Sequence, residues 1–295
     1  MSTKISTPKN IGLIGKYGDP QIAPIITDLI EFLQGRGLKV LLEQATADIL
    51  ALRHPHTRPI AEIGKDIDLA VVVGGDGTML NAARNVAGFK VPMIGVNLGR
   101  LGFLTDIAAN SMLEDLGKVL DGDFKTEERL LLMAEVVRDG RTAHTSNAFN
   151  DVVINKGALA RLIEFESYVD DEFVNSVRAD GVIVATPTGS TAYALSAGGP
   201  ILQPTLPAMV LVPICPHTLS DRPLTLSSDC RIEIVMIDSG NQGAHVTFDG
   251  QSNYSLRDRD RIRVRRAATP VILIHPSRRS HYEVLRAKLS WGGKF

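Results

Sequence analysis

The chain has 295 residues, 44% of them apolar and 22% charged, with 33 acidic against 32 basic side chains. That is longer than one compact core usually needs, so two domains are expected. A formal net charge of −1 offers no global field for nucleic acid or an anionic membrane, and Cys215 and Cys230 form no CxxC pair and lie near no histidine cluster, which argues against a zinc site and fits two reduced thiols better than a disulfide.

In chain order, MSTKISTPKNIGLIG holds no apolar stretch of signal-peptide length. No later segment reaches the ~20 apolar residues of a membrane helix, so the expected location is the cytoplasm. Ile11 to Ile14 reads as a strand. Pro20 opens a segment with Ile22, Ile25, Ile26, Leu29 and Leu33 on one helical face, ended by Gly35 and Gly37. LKVLLE (38–43), DLAVVVGG (68–75) and VPMIGVN (91–97) read as further strands, with a helix over Thr78 to Ala87 and another around Ser111 to Leu120. The alternation predicts a doubly wound, mostly parallel α/β sheet.

From about Glu128 the pattern changes to strands: RLLLMAEVVRDG, AFNDVVINKG, ARLIEFESYVDD, PAMVLVPIC, RIEIVMIDSG, HVTFDGQSNYSL and RIRVRR. Turn pairs Asp139-Gly140, Ser239-Gly240 and Asp249-Gly250 punctuate them. The expected organisation is an α/β domain over 1–125, rejoined by a C-terminal tail at about 276–295, and a mostly-β, sandwich-like domain over 126–275.

Two stretches carry chemistry. VVVGGDGTML (71–80) runs a buried strand into glycines and a helix start. It fits neither GxxxxGK[ST] nor GxGxxG, because Leu80 stands where the third glycine should be. Strand end, glycines and helix start together predict a nest of backbone N–H groups for phosphate, with glycine permitting positive φ. Asp76 has two readings: a helix cap, or a carboxylate that holds a phosphate-bridging metal or takes a proton from an attacking hydroxyl. The second stretch, DGVIVATPTGSTAYALSAGGP (180–200), runs a strand into a hydroxyl-lined turn and a short helix. Its hydroxyls, amides and Tyr193 suit a hydroxyl-rich or heterocyclic ligand, or form a structural turn. Ser190 lacks the GxSxG setting of a nucleophile.

In order and spacing, GGDGT at 74–78, the Asn150-Asp151 pair in FNDVVI, and DGVIVATPTGSTAYALSAGGP resemble the NAD kinase family over about residues 11 to 275, and LRAKLSW resembles a family ending. GGDGT alone is shared with lipid kinases; the third stretch is the specific one. The resemblance implies phosphorylation of the adenosine ribose 2′-hydroxyl of NAD by ATP to give NADP. It also implies homodimers or homotetramers that build the site near subunit contacts. The divalent ion, Mg²⁺ or Mn²⁺, would be held through the ATP phosphates and not by protein ligands. By the same motif matches, Asp76 is the expected general base, and Gly74, Gly75, Gly77 and Thr78 the phosphate turn. Gly77, Asn150, Asp151, Arg161, Arg178, Asp180, Thr191, Ala192, Tyr193, Ser196 and Gln251 are the expected substrate set. Arg178 is open to two roles, at the pyrophosphate or beside the nicotinamide.

The remaining features have plainer readings. In RDRDRIRVRR (257–266), Arg261, Arg263 and Arg265 alternate with Ile262 and Val264, as on a solvated strand face, with a subunit contact as the alternative. His54 and His56 read as loop, and His245 as a core or edge residue. NLGRLGFL (97–104) places Phe103 or Leu104 near the glycine turn, where Phe103 covers the nicotinamide end or simply packs. Two rival functions are a GGDGT enzyme acting on a lipid or sugar, and a non-enzymatic dinucleotide sensor, for which Asp76 would have no use.

Overall fold

The computed structural model describes residues 8–50, 56–99, 102–157, 161–240 and 243–291. His54, the Arg100-Leu101 step of the 97–104 stretch, Ala160, and the two ends of the chain lie outside them. The chain divides into two compact units, residues 1–128 with 271–295, and residues 129–270.

The first unit opens with β1 (Asn10–Gly15), α1 (Ala23–Gly35) and β2 (Lys39–Glu43). Pro20 starts a short 3₁₀ turn, which Asp19 caps through Gln21 N at 3.1 Å, and the α-helix begins after it. Ile26, Leu29, Ile30 and Leu33 bury the inner face of α1, and Gly37 leaves it at φ +76°. A helix unmarked in the sequence follows, α2 (Gln44–Ile49); Glu43 caps it, accepting from Ala45 N at 3.0 Å and Thr46 N at 2.9 Å. Next come β3 (Thr57–Arg58), α3 (Ile60–Ile63), β4 (Leu69–Gly74), α4 (Asp76–Val86), β5 (Met93–Asn97), β6 (Ile107–Ala108), α5 (Met112–Leu120) and β7 (Phe124–Arg129).

The second unit holds β8 (Leu132–Arg138), β9 (Arg141–Ala148), β10 (Asp151–Lys156), β11 (Ile163–Val169), β12 (Glu172–Ala179), β13 (Gly181–Ala185) and α6 (Tyr193–Ser196). It continues with β14 (Ala208–Ile214), β15 (Leu224–Ser227), β16 (Ile232–Asp238), β17 (Ala244–Phe248), β18 (Ser252–Leu256) and β19 (Arg261–Arg266). The chain then returns to the first unit as β20 (Val271–Pro276) and α7 (His281–Leu289).

In the first unit the strand order is β3-β2-β1-β4-β5-β20-β7, and the pairs β3-β2, β2-β1, β1-β4, β4-β5 and β5-β20 are parallel. The winding reverses between β1 and β4. In an open α/β sheet, that reversal leaves a crevice at the carboxyl ends of the strands, where ligands bind. The glycine turn leaves the carboxyl end of β4, beside this point. Val71, Val72 and Val73 are fully buried, as a central parallel strand requires.

The second unit is a β-sandwich of two six-stranded sheets, ordered β15-β14-β13-β10-β17-β18 and β12-β11-β16-β19-β8-β9. One core joins them, with Val152, Val184 and Phe248 from the first sheet and Phe165, Ile234 and Val264 from the second. The arginine run takes the alternating form read from the sequence: Ile262 and Val264 are buried, while Arg261 and Arg263 both reach Glu233 at 2.7 Å. Asp260, within the same run, is buried. It is 1% exposed, accepts from Arg138 at 2.7 and 2.9 Å, and also takes the Arg257 amide at 2.8 Å. Removing a buried carboxylate strands its cation, so Asp260→Ala is expected to cost about 3 kcal/mol. The shift in urea midpoint at unchanged slope measures it, and a change below ~1 kcal/mol would contradict the buried pair.

Candidate active site

β4 passes into α4 without a loop. Gly75 is the N-cap residue, in extended geometry with no side-chain cap, so Asp76 is the first helical residue and does not cap α4. The glycines do not supply positive φ: Gly74, Gly75 and Gly77 all lie outside that region. Gly74 is required by close approach instead, because a Cβ there would collide with the Thr78 hydroxyl. The turn therefore brings Gly74, Gly75, Asp76, Gly77 and Thr78 together at the positive end of a helix, where anions are favoured.

The Asp76 side chain reaches away from its own helix. Oδ2 accepts from Phe103 N at 2.9 Å and Oδ1 from Leu104 N at 3.0 Å. Gly102 lies so close that a Cβ on it would strike the carboxylate. The loop after β5 is thus tied to the glycine turn through one half-buried carboxylate. A carboxylate has about four acceptor positions, so two amides leave others able to accept a hydroxyl proton.

In the second unit a different aspartate organises the Asn150-Asp151 step. Asp249 accepts from three successive amides: Phe149 N at 3.0 Å, Asn150 N at 2.7 Å and Asp151 N at 3.2 Å. Asp249 sits at φ +53° in the turn after β17, and its own amide returns to Asp151 O at 2.9 Å. The 186–191 turn closes on the same step. Thr186 N donates to Asn150 O at 2.8 Å, and its hydroxyl donates to Phe149 O at 2.6 Å. Ser190 is fully buried and its hydroxyl donates to Pro187 O at 2.6 Å while accepting from Leu202 N at 3.0 Å, which leaves it no nucleophilic role. Thr191, Ala192, Tyr193 and Ser196 follow on the rim of this turn, with Tyr193 exposed. Gln251 closes the Asp249 turn through Phe248 O at 3.0 Å.

Two residues of this set were given no site role in the sequence. Asp249 stood out only as a turn pair, and Arg129 not at all. Arg129 is buried beneath the threonine turn and donates to the Thr188 hydroxyl at 3.2 Å.

Within the unit, Asp180, Arg178 and Arg161 do not join this group. Strand β10 leads from Asp151, paired with Ala185, to Asn155, paired with Gly181. Those four residues of extended chain separate Asp151 from the Asp180 end by ~14 Å. There Asp180 pairs with Lys156 Nζ at 2.5 Å, exposed Arg178 lies 3.9 Å from Glu164, and Arg161 is exposed just before β11.

A glycine turn bearing a carboxylate at the switch point of one unit, and in the other a β-sandwich that gathers a hydroxyl-lined turn around an Asn-Asp step, fit a nucleotide kinase. The ATP-NAD kinase N-terminal domain family matches residues 11–124, and the ATP-NAD kinase C-terminal domain family matches residues 149–276. The chain belongs to the NAD kinase family. It is 48% identical to an NAD kinase of Nitrosospira multiformis, across 98% of this chain and 97% of that one. It is 49% identical to an NAD kinase of Aromatoleum aromaticum, across 95% and 93%. Among solved structures it resembles yeast NADH kinase complexed with NADH, at TM-score 0.88 and 26% identity over 100% and 94% of the two chains. It also resembles an NAD kinase from Archaeoglobus fulgidus in complex with ATP, at TM-score 0.73 and 25% identity over 95% and 98%.

Burial, and secondarily the Asp249 carboxylate, push the Asp151 carboxyl up from 3.8 to about 7. Between those values the unfolded chain has released a proton that the folded chain keeps, so stability falls as pH rises from about 4 to about 7 and levels above. One group titrating in this way gives a slope of up to about 1.4 kcal/mol per pH unit. Urea midpoints at pH 5, 6, 7 and 8 should show this fall in the parent chain and lose it in Asp151→Asn. Parallel profiles for the two proteins would contradict the assignment.

Proposed function

We propose that the chain transfers the γ-phosphoryl group of ATP to the 2′-hydroxyl of the adenosine ribose of NAD, giving NADP and ADP. The observation that carries this reading is the Asp76 carboxylate, held by two amides at the exit of a switch-point strand, in a chain whose other unit gathers Asn150, Asp151 and the threonine turn at one sheet end.

Asp76 is the general base toward the 2′-hydroxyl. The glycine turn and the α4 N-terminus take up phosphate charge as the γ-phosphoryl group moves. An ordinary carboxylate is a weak base for an alcohol, so alignment of the two oxygens carries much of the rate. Asn150 and Asp151 hold the ribose and base, since a carboxylate accepts from both hydroxyls of a diol. The rim from Thr191 to Ser196, with Gln251, walls the nucleoside. Mg²⁺ or Mn²⁺ would be held by the ATP phosphates and would supply charge neutralisation there. Among the described residues no group of three or more His, Cys, Asp or Glu is arranged to hold a metal ion. No helix among the described residues is long and apolar enough to cross a membrane, and we assign the enzyme to the cytoplasm.

Asp180, Arg178 and Arg161 enter this scheme from a second copy of the chain. A homo-oligomer then completes each site, which accounts for their place at the far end of β10. Asp151→Ala should raise the NAD KM more than it lowers kcat. At low NAD, Asp151→Ala and Asp180→Ala chains refolded together should recover about a quarter of parental activity, the share of sites that random pairing completes. Activity equal to the mean of the two variants would remove the second copy from the site.

The reaction itself is tested by incubating the purified chain with NAD, ATP and Mg²⁺ and following NADP. Asp76→Asn should lower kcat by roughly 10²–10⁴-fold while NAD binds within a few fold of the parent. Full activity in that variant would displace Asp76 as base. Product formed only with a lipid or sugar hydroxyl would assign a different kinase, and tight NAD binding without product would assign a sensor.

A further inference from the structure

The loop that Asp76 holds is gripped from its other side by the C-terminal segment. The Leu104 N–H and the Phe103 C=O belong to one peptide group. Its N–H donates to Asp76 Oδ1 at 3.0 Å, and its C=O accepts from Arg279 Nη2. In a planar trans peptide these two groups point in opposite directions. The sequence of contacts is therefore carboxylate, peptide, guanidinium, with both dipole ends of the peptide facing the charge that favours them.

Arg279 is itself fixed. Its side chain is 9% exposed, and Nε faces Asp106 Oδ1 as an ion pair, with the Asp106 side chain 3% exposed. The other oxygen of Asp106 meets His275 Nδ1, and His275 Nε2 lies 3.2 Å from Glu127. Arg279 Nη1 lies 3.1 and 3.3 Å from the two His275 ring nitrogens. His275 stands on β20 and Arg279 just before α7, so the returning chain supplies both. Arg279 also lies beyond residue 276, outside both segments that the family descriptions match.

We propose that Arg279 is a positioning residue for the phosphoryl transfer: through the Phe103–Leu104 peptide it sets the orientation of the Asp76 carboxylate, and the buried Asp106–His275 pair holds it in place. The inference rests on the reading of Asp76 as base. A chain of hydrogen bonds in a low-dielectric setting polarises along its length, so the guanidinium strengthens the amide that Asp76 receives. Without it the peptide can rotate, Oδ1 loses its fixed donor, and the carboxylate no longer meets the hydroxyl at one angle. The scheme gives Arg279, Asp106 and His275 no contact with NAD or ATP, so ground-state binding is expected to hold.

The test is steady-state kinetics of Arg279→Met, Arg279→Lys, Asp76→Asn and the double variant Asp76→Asn with Arg279→Met. Misplacement of a reacting group on the ångström scale costs up to about 10²-fold, so Arg279→Met is expected to lower kcat by about 10- to 100-fold. The KM for NAD and for ATP should stay within about threefold, because ground-state binding is untouched. Arg279→Lys, which keeps a cationic donor, should recover most of the rate. The double variant should be no slower than Asp76→Asn alone, as groups that act as one unit are non-additive. A kcat within twofold of the parent in Arg279→Met, a rise in KM that matches the fall in kcat, or a double variant slower by the full product of the single losses overturns the proposal. If Arg279→Met does not fold, Arg279→Lys decides: a lowered kcat at parental KM supports the role, and parental kcat or a changed KM refutes it. Full activity in Asp76→Asn would instead refute the base reading, a separate outcome.

Discussion

The first unit is organised around one carboxylate that does not serve its own helix. Asp76 begins α4 but gives both oxygens to amides of the loop after β5. Parallel strands β4 and β5 are neighbours, and their carboxyl ends open at the same edge of the sheet. Without a link, the glycine turn and the following loop would be two independent irregular segments. The link makes them one structure: Gly102 leaves room for the carboxylate, and Gly74 leaves room for the Thr78 side chain beside it. An enzyme that works by alignment needs such preorganisation more than it needs a strong base.

The second unit solves the same problem with the same chemistry. Asp249 gathers three consecutive amides and so fixes the direction in which Asn150 and Asp151 leave the strand. The consequence for Asp151 is a buried carboxyl beside another carboxylate, held up near neutral pH. A group of this kind is costly in the empty protein and gains most from a partner that donates hydroxyl protons. In both units an acidic side chain that binds backbone is what places the acidic side chain or oxygen assigned to substrate.

Much of this was legible in the sequence, and the reasons are physical. Fully buried parallel strands need uninterrupted apolar residues, so Val71 to Val73 announced a central strand and the glycines after them announced its end. The ATPTGSTAY turn was visible for the same reason. Strands β9 and β12 were not, because they are the outer strands of their sheet and keep exposed, polar residues such as Arg141, Thr142 and Glu172. An edge strand is held by backbone hydrogen bonds on one side and needs little apolar patterning. Expected positive φ in the GGDGT turn was misplaced, since none of its glycines takes that conformation and Gly74 answers to crowding instead. Asp249 and Arg279 were illegible because their partners lie 98 to 100 and 176 residues away, separations that no local pattern records.

The central claim is that the Asp76 carboxylate addresses the 2′-oxygen of the adenosine ribose while keeping its two backbone donors. A crystal structure with NAD and a non-hydrolysable ATP analogue measures this directly. The account predicts an Asp76 oxygen within about 2.6–3.2 Å of the 2′-oxygen, with the Phe103 and Leu104 amides still in place. A bound nucleotide whose 2′-oxygen lies beyond hydrogen-bonding reach of Asp76, with another side chain beside it, would contradict it.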